Sequence, residues 1–209
     1  MLKRACSLTQ IEERKKEIVD TVNQMFDRMD YQDISMKTIS ERISIARSSL
    51  YCYYNNKEEI MLDVLKQDYL NFLNELINIF SKENMSKENL ANEIASAYLK
   101  HTRLLKIISI YLVDIETHAS IDKLVGFKKL FVDVLAKLKS SIYHQFKDDT
   151  NENVNNLFNS LLMLTHGLYP LIEPNENQKI AMDKVGMSFC HDKYQYCYNC
   201  ILFLLNAMK

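Results

Sequence analysis

Tryptophan is missing from this chain, and turn-forming residues nearly are: three Gly and two Pro occur in 209 residues. A sheet-rich fold turns every few residues and draws on both for its turns. Their scarcity excludes most β architectures and leaves long helices with few breaks. An excess of one charge is missing too. Lys and Arg number 26 and Asp and Glu 27, for a formal net charge of −1. No global basic field draws the whole molecule to nucleic acid, so a polyanionic partner would need a local cluster; Lys3, Arg4, Arg14, Lys15, Lys16, Lys37, Arg47 and Lys57 are its candidates. The most apolar run, 107–115, is broken by Ser109 and Asp114 and is too short to cross a bilayer. No apolar segment follows Lys3 and Arg4 as in a secretory leader. Five Cys without a regular framework suit a reducing compartment. The expectation is a cytoplasmic protein without a membrane partner. Gly-rich phosphate loops, nucleophile elbows and framed carboxylate pairs are lacking, so no enzyme, no catalytic residue and no cofactor are expected.

What is present is concentrated in residues 35–57. Ser35 has the residue type and position to cap a short helix whose buried side is Ile39 and Ile43. A tight turn near Ser44 and Ile45 follows, and then a second short helix. Leu50 and Tyr54 share one face of it at i and i+4, while Arg47, Ser48, Ser49, Tyr51 and Tyr53 supply a cation and hydroxyls to the other. This is the layout of a helix-turn-helix whose second helix enters a DNA major groove. Lys57 opens the next helix, where a cation opposes the helix dipole; the placement makes sense if a phosphate approaches the same amides. Lys37, near the start of the preceding helix, repeats it, with Thr38 beside it. The expected DNA-binding residues are therefore Lys37, Thr38, Arg47, Ser48, Ser49, Tyr51, Tyr53 and Lys57.

Ile39, Ile45, Leu50-Tyr51, Tyr53-Tyr54, Lys57-Glu58 and Ile60 resemble in type and spacing the signature of the TetR family of transcriptional regulators. Ile18, Met25-Phe26 and Tyr31 sit where that family has its first-helix core. Asp30 stands where the family usually has Gly, Ser44 replaces the usual turn Gly, and Tyr54 replaces Phe. The resemblance covers the first third of the chain. It implies an all-α protein: a three-helix DNA-binding domain over 12–72, with the helix-turn-helix at 35–54, then a helical regulatory and dimerisation domain over 73–209. It further implies a homodimer on an inverted-repeat operator of double-stranded DNA, usually a repressor, released when a small-molecule inducer binds the second domain.

Beyond the helix-turn-helix, helical periodicity predicts a first helix over about 10–29, a long helix over about 57–80, and five more at roughly 87–102, 104–117, 121–146, 151–168 and 188–207. The segment 104–115 is apolar nearly all round and reads as a central buried helix. The polar stretch 169–187, which holds both prolines, reads as a loop. Tyr98, His101, Thr102, Tyr111, Phe127 and Phe131 have the mix of rings and polar ends that lines an apolar ligand pocket. An apolar or aromatic molecule held by one or two hydrogen bonds is the expected ligand. Leu157, Leu161 and Thr165 form one stripe and Tyr194, Tyr198, Ile201 and Leu205 another, and these are the expected dimer contacts. His101, Asp114 and His118 lack metal-ligand spacing, so no metal is expected. Cys197 and Cys200 form a C-x-x-C with Cys190 upstream. A regulator answering to thiol oxidation or a protein partner is thus the alternative to one with a small-molecule inducer.

Overall fold

The computed structural model describes residues 8–187 and 192–209. Among these, every regular element is helical, so the fold is all-α. Helix α1 spans Leu8–Phe26, a 3₁₀ turn spans Tyr31–Asp33, and α2 (Met36–Arg42) and α3 (Arg47–Leu50) follow. Next come α4 (Lys57–Phe80), α5 (Lys87–Lys100), α6 (Thr102–Lys106), a π-helical turn (Ile107–Tyr111) and α7 (Leu112–His118). The chain closes with α8 (Ile121–Gln145), α9 (Asn151–Ile172), α10 (Glu176–Lys184) and α11 (Lys193–Asn206).

Contacts divide the chain into two units. The first runs to Gln67 and also takes in Val113–Lys128; the second holds Asp68–Leu112 and Lys129–Lys209. The division differs from the expected 72/73 boundary in one substantial way, because α7 and the start of α8 belong with the N-terminal unit. Within that unit α2 packs on both α1 and α3. Its buried side chains include Ile18, Val22, Phe26, Tyr31, Ile34, Ile39, Leu50, Tyr54, Ile60 and Met61; Ile18, Val22, Phe26, Ile39, Leu50, Tyr54, Ile60 and Met61 keep to helical periodicity in the sequence. In the second unit α5 lies along α11, and α9 packs against α6, the π turn and α11. Its core contains Phe72, Leu76, Phe80, Ile94, Tyr98, Leu105, Leu157, Leu161 and Ile201.

Two expectations are corrected. The segment 104–115 is not buried all round: Leu104, Leu105, Ile107 and Ile108 are buried, whereas Ile110 and Val113 are exposed. A π turn interrupts it, so its apolar residues do not keep one straight face. The stretch 169–187 is not a loop. Helix α9 continues through Pro170 to Ile172, losing one backbone hydrogen bond without ending. Helix α10 then starts at a capping box, with the Asn175 side chain accepting from Gln178 N (2.9 Å) and the Gln178 side chain from Asn175 N (2.9 Å). It ends on Gly186 at φ 67 with Met187 N donating to Met182 O (2.9 Å), a Schellman closure.

The turn of the helix-turn-helix shows what the replaced glycine costs. Ser44 adopts φ 53, and Ile45 N reaches back to Ser40 O at 3.1 Å. A side chain in this left-handed region is strained by about 1–2 kcal/mol, partly offset by the lower entropy of Ser in the unfolded chain. Ser44→Gly should therefore stabilise the N-terminal unit by roughly 0.5–1 kcal/mol in urea unfolding. A loss of stability would mean that the Ser44 side chain makes a compensating contact.

Candidate functional site

The helix-turn-helix is held by its own side chains. Ser35 caps α2: its Oγ accepts from Thr38 N (3.2 Å), and Thr38 Oγ1 accepts from Ser35 N (2.9 Å). The Thr38 hydroxyl is thus occupied by the cap, while Lys37 next to it is exposed and sits 3.9 Å from Glu41. Helix α3 is one turn long. Leu50 and Tyr54 point into the core, whereas Arg47, Ser48, Ser49 and Tyr51 are exposed and Tyr53 is half-buried. Arg47 Nη2 donates to Tyr51 Oη at 3.1 Å, and the guanidinium lies 5.7 Å from that ring's centre. Cation and phenol therefore present themselves as one pre-ordered pair. Lys57 makes contacts of its own within the unit. Its Nζ donates to Tyr31 O (3.0 Å) and lies 4.0 Å from the Tyr31 ring centre, fastening the start of α4 to the 3₁₀ turn and leaving two protons for another acceptor. Lys3 and Arg4 lie outside the described residues.

Sequence reasoning missed the second layer of this site. Tyr31 Oη donates to Asp114 Oδ2 (3.1 Å) and lies 3.4 Å from Glu58 Oε1. Asn56 Nδ2 donates to His118 O (2.7 Å), and Lys123 Nζ donates to Asp63 Oδ2 (2.9 Å), which also accepts from Tyr54 Oη (2.8 Å). Burial first, and then neighbouring carboxylates (Glu58 and Asp114 at Tyr31, Asp63 at Tyr54), raise the phenols of Tyr31 and Tyr54 well above the ordinary tyrosine value. Both therefore stay donors at any working pH. Asp114 and His118 are among the polar interruptions of an otherwise apolar segment. Here Asp114 serves Tyr31, and His118 Nδ1 lies 2.9 Å from Asp114 O. The sequence signal existed, since polar residues on an apolar helix need partners, but nothing local named those partners.

At the start of α4 a capping box is half realised. Asn56 Oδ1 accepts from Glu59 N (2.9 Å). The Glu59 carboxylate turns to Asn55, accepting from its backbone N (3.0 Å) and its Nδ2 (2.9 Å). Glu59 is buried. Burial alone pushes its pKa up, yet hydrogen bonds from Ser120 and Asn55 outweigh that and hold it below the usual carboxylate value.

The expected pocket residues do not all fall in the second unit. Tyr98 is 0% exposed and donates to Leu161 O (2.6 Å) beside Thr165 Oγ1 (3.1 Å). It is a core residue with its hydrogen bonds spent. Half-buried His101 places Nε2 2.9 Å from Glu75 Oε2 and packs edge-on to Phe72. The Thr102 hydroxyl donates to Leu99 O. Phe131 packs edge-on to Tyr69, half-buried Tyr111 closes the π turn, and Phe127 falls in the other unit.

The expected contact stripes are likewise turned inward. Leu157, Leu161, Thr165, Ile201 and Leu205 are buried within the subunit, because a stripe that is apolar by periodicity first satisfies its own core. Tyr194 and Tyr198 are stacked and more exposed. The opposite face of the same helices holds an apolar groove of about 700 Å³ lined by Met163, Leu164, Gly167, Leu171, Phe203 and Leu204. Met163 is 74% and Phe203 77% exposed. Cys197 is buried, and burial pushes the thiol of Cys200, at this groove, upward. A protonated thiol is a poor nucleophile. Cys190 lies outside the described residues. No cluster of His, Cys, Asp or Glu suited to a metal occurs among the described residues, and no described helix is long and apolar enough to cross a membrane.

Residues 66–196 match the family model described as the tetracyclin repressor-like C-terminal domain. This is the part of the chain that the helix-turn-helix resemblance leaves uncovered. Solved structures align over nearly the whole length. One, described as a TetR-family transcriptional regulator from Mesorhizobium loti, is 12% identical over 95% of this chain and 98% of its own, with a TM-score of 0.57. Another, so described from Streptomyces coelicolor, is 12% identical over 92% and 98%, with a TM-score of 0.55. The fatty acid degradation regulator FadR from Bacillus halodurans is 14% identical over 94% and 96%, with a TM-score of 0.51. No curated protein matches the chain.

Proposed function

The chain belongs to the TetR family of transcriptional regulators, and on that premise we propose that it binds an inverted-repeat operator as a homodimer, using α3 in the major groove. One observation carries this reading: Leu50 and Tyr54 anchor α3 from below while Arg47, Ser48, Ser49 and Tyr51 stay exposed on it. A one-turn helix with that distribution exposes its polar residues at its N-terminal end, where a recognition helix meets bases. The Arg47–Tyr51 pair is the base-reading element, Lys37 and Lys57 contact phosphate, and Thr38 acts through the α2 cap. The partner copy covers the apolar face of α9 and α11, since a contiguous apolar surface of this kind marks an interaction site.

Regulation follows the usual pattern of the family: repression, relieved by a small apolar or aromatic molecule acting on the second unit. Tyr98 is a poor polar handle for such a ligand, because its phenol is already bonded in the core. The thiol-oxidation alternative has less support, because Cys197 is buried and burial pushes the Cys200 thiol up.

Fluorescence anisotropy on a sequence selected from random duplex DNA tests the reading. The selected site should be an inverted repeat. Arg47→Ala should lower preference for it by about 1–3 kcal/mol while leaving random-sequence affinity nearly unchanged. Lys57→Ala should weaken both about equally and lower the salt slope by roughly one phosphate contact. Selection that yields no sequence preference, or an Arg47→Ala loss identical on random DNA, removes α3 from base reading.

A further inference from the structure

Helix α10 presents a physical problem, because none of its nine residues is fully buried on its own subunit. An isolated helix this short is marginal in water, because propagation does not repay nucleation and only packing of one face normally makes up the difference. The capping box at Asn175 and the Schellman closure at Gly186 fix its ends, and of its apolar side chains only Met182 is even half-buried. Ile180 is exposed within it, and Val185 and Met187 just beyond it. The excursion that carries α10 is closed at its base, where Lys193 Nζ meets Glu173 Oε1 at 2.5 Å. The chain thus leaves the body at the end of α9, forms a capped helix, and returns to the same place to begin α11.

The root of this excursion adjoins the apolar groove on α9 and α11. Leu171, in the last turn of α9, lines that groove and is itself exposed. Apolar surface therefore runs from Met163 and Phe203 to Leu171, next to the Lys193–Glu173 ion pair at the base of the arm. A twofold contact sets the same patch of two copies against each other, so what protrudes from the patch's edge on one copy lies beside the body of the other. We propose that α10 is an interlocking arm that packs its Ile180 side on a second copy of this chain. The inference rests on the homodimer proposed above and adds to it a part that completes its fold only on assembly.

The test is hydrogen exchange combined with sedimentation, on three full-length chains: the wild type, Phe203→Asp, and a chain in which residues 175–187 are replaced by a Gly-Ser linker of equal length. In the wild-type dimer, amides of 177–184 should exchange at least about tenfold more slowly than in the Phe203→Asp monomer. The linker chain should remain folded, with a dimer dissociation constant raised at least about tenfold. A dimer with an unchanged dissociation constant in the linker chain, and equally fast exchange of 177–184 in both states, overturns the arm and leaves the dimer standing. Equal protection of 177–184 in dimer and monomer also overturns it, since the arm would then be held by its own subunit. A wild-type chain that sediments as a monomer overturns the dimer itself. The exchange comparison holds even if the linker chain fails to fold.

Discussion

Phe203→Asp should leave the subunit folded and abolish the dimer, whereas Leu161→Asp should unfold the second unit outright. Both residues are apolar and both lie on the α9–α11 pair, yet Phe203 is 77% exposed and Leu161 1%. An Asp at 203 meets water in the monomer and is costly only when a partner covers it. An Asp at 161 sits beside the Tyr98–Thr165 hydrogen bonds in the core, where an unpaired carboxylate costs upwards of about 4 kcal/mol or unfolds its surroundings. Sedimentation with thermal unfolding by circular dichroism separates the two. The Phe203 variant should melt with an intact helical signal as a monomer, and it should lose about 10²–10⁴-fold in affinity for a two-half-site DNA through lost avidity. If Phe203→Asp still dimerises while Leu161→Asp gives a folded monomer, the contact face is the opposite one.

Glu59→Ala should cost the N-terminal unit about 2–4 kcal/mol at neutral pH, because the carboxylate accepts from the backbone and side chain of Asn55 and from Ser120. Removing it leaves the Asn55 and Ser120 donors without their acceptor at the start of α4. The acid dependence has a definite sign. Hydrogen bonding holds the folded-state pKa of Glu59 below its ordinary value of 4.5. The carboxylate's contribution is therefore fully present above the unfolded-state pKa and is lost as pH falls from there through the folded pKa. Urea titrations from neutrality into that acid range should show the wild type losing stability more steeply than Glu59→Gln, which has no proton to take up. Superimposable slopes would assign the acid sensitivity to other carboxylates. Glu75, whose pKa Lys100 and His101 hold low against the opposing effect of burial, is the first of these to try.

The residues alone determined the helical class and the position of the helix-turn-helix. Scarce Gly and Pro forbade frequent turns. Ser35 announced a helix start through a cap that acts over three residues, and Leu50 with Tyr54 fixed which side of the second short helix is buried. All of these are local effects, complete within one or two helical turns. Tertiary structure decided what depends on partners distant in sequence. It turned the stripe of Leu157, Leu161 and Thr165 inward and left Met163 and Phe203 outside, since periodicity gives the spacing of an apolar face but not what covers it. It gave Asp114, Ser120 and Lys123 to the N-terminal unit, because hydrogen-bond partners some sixty to eighty residues away leave no mark on local pattern. It also spent the Tyr98 phenol on Leu161 O, since a buried donor must find an acceptor whichever element supplies it.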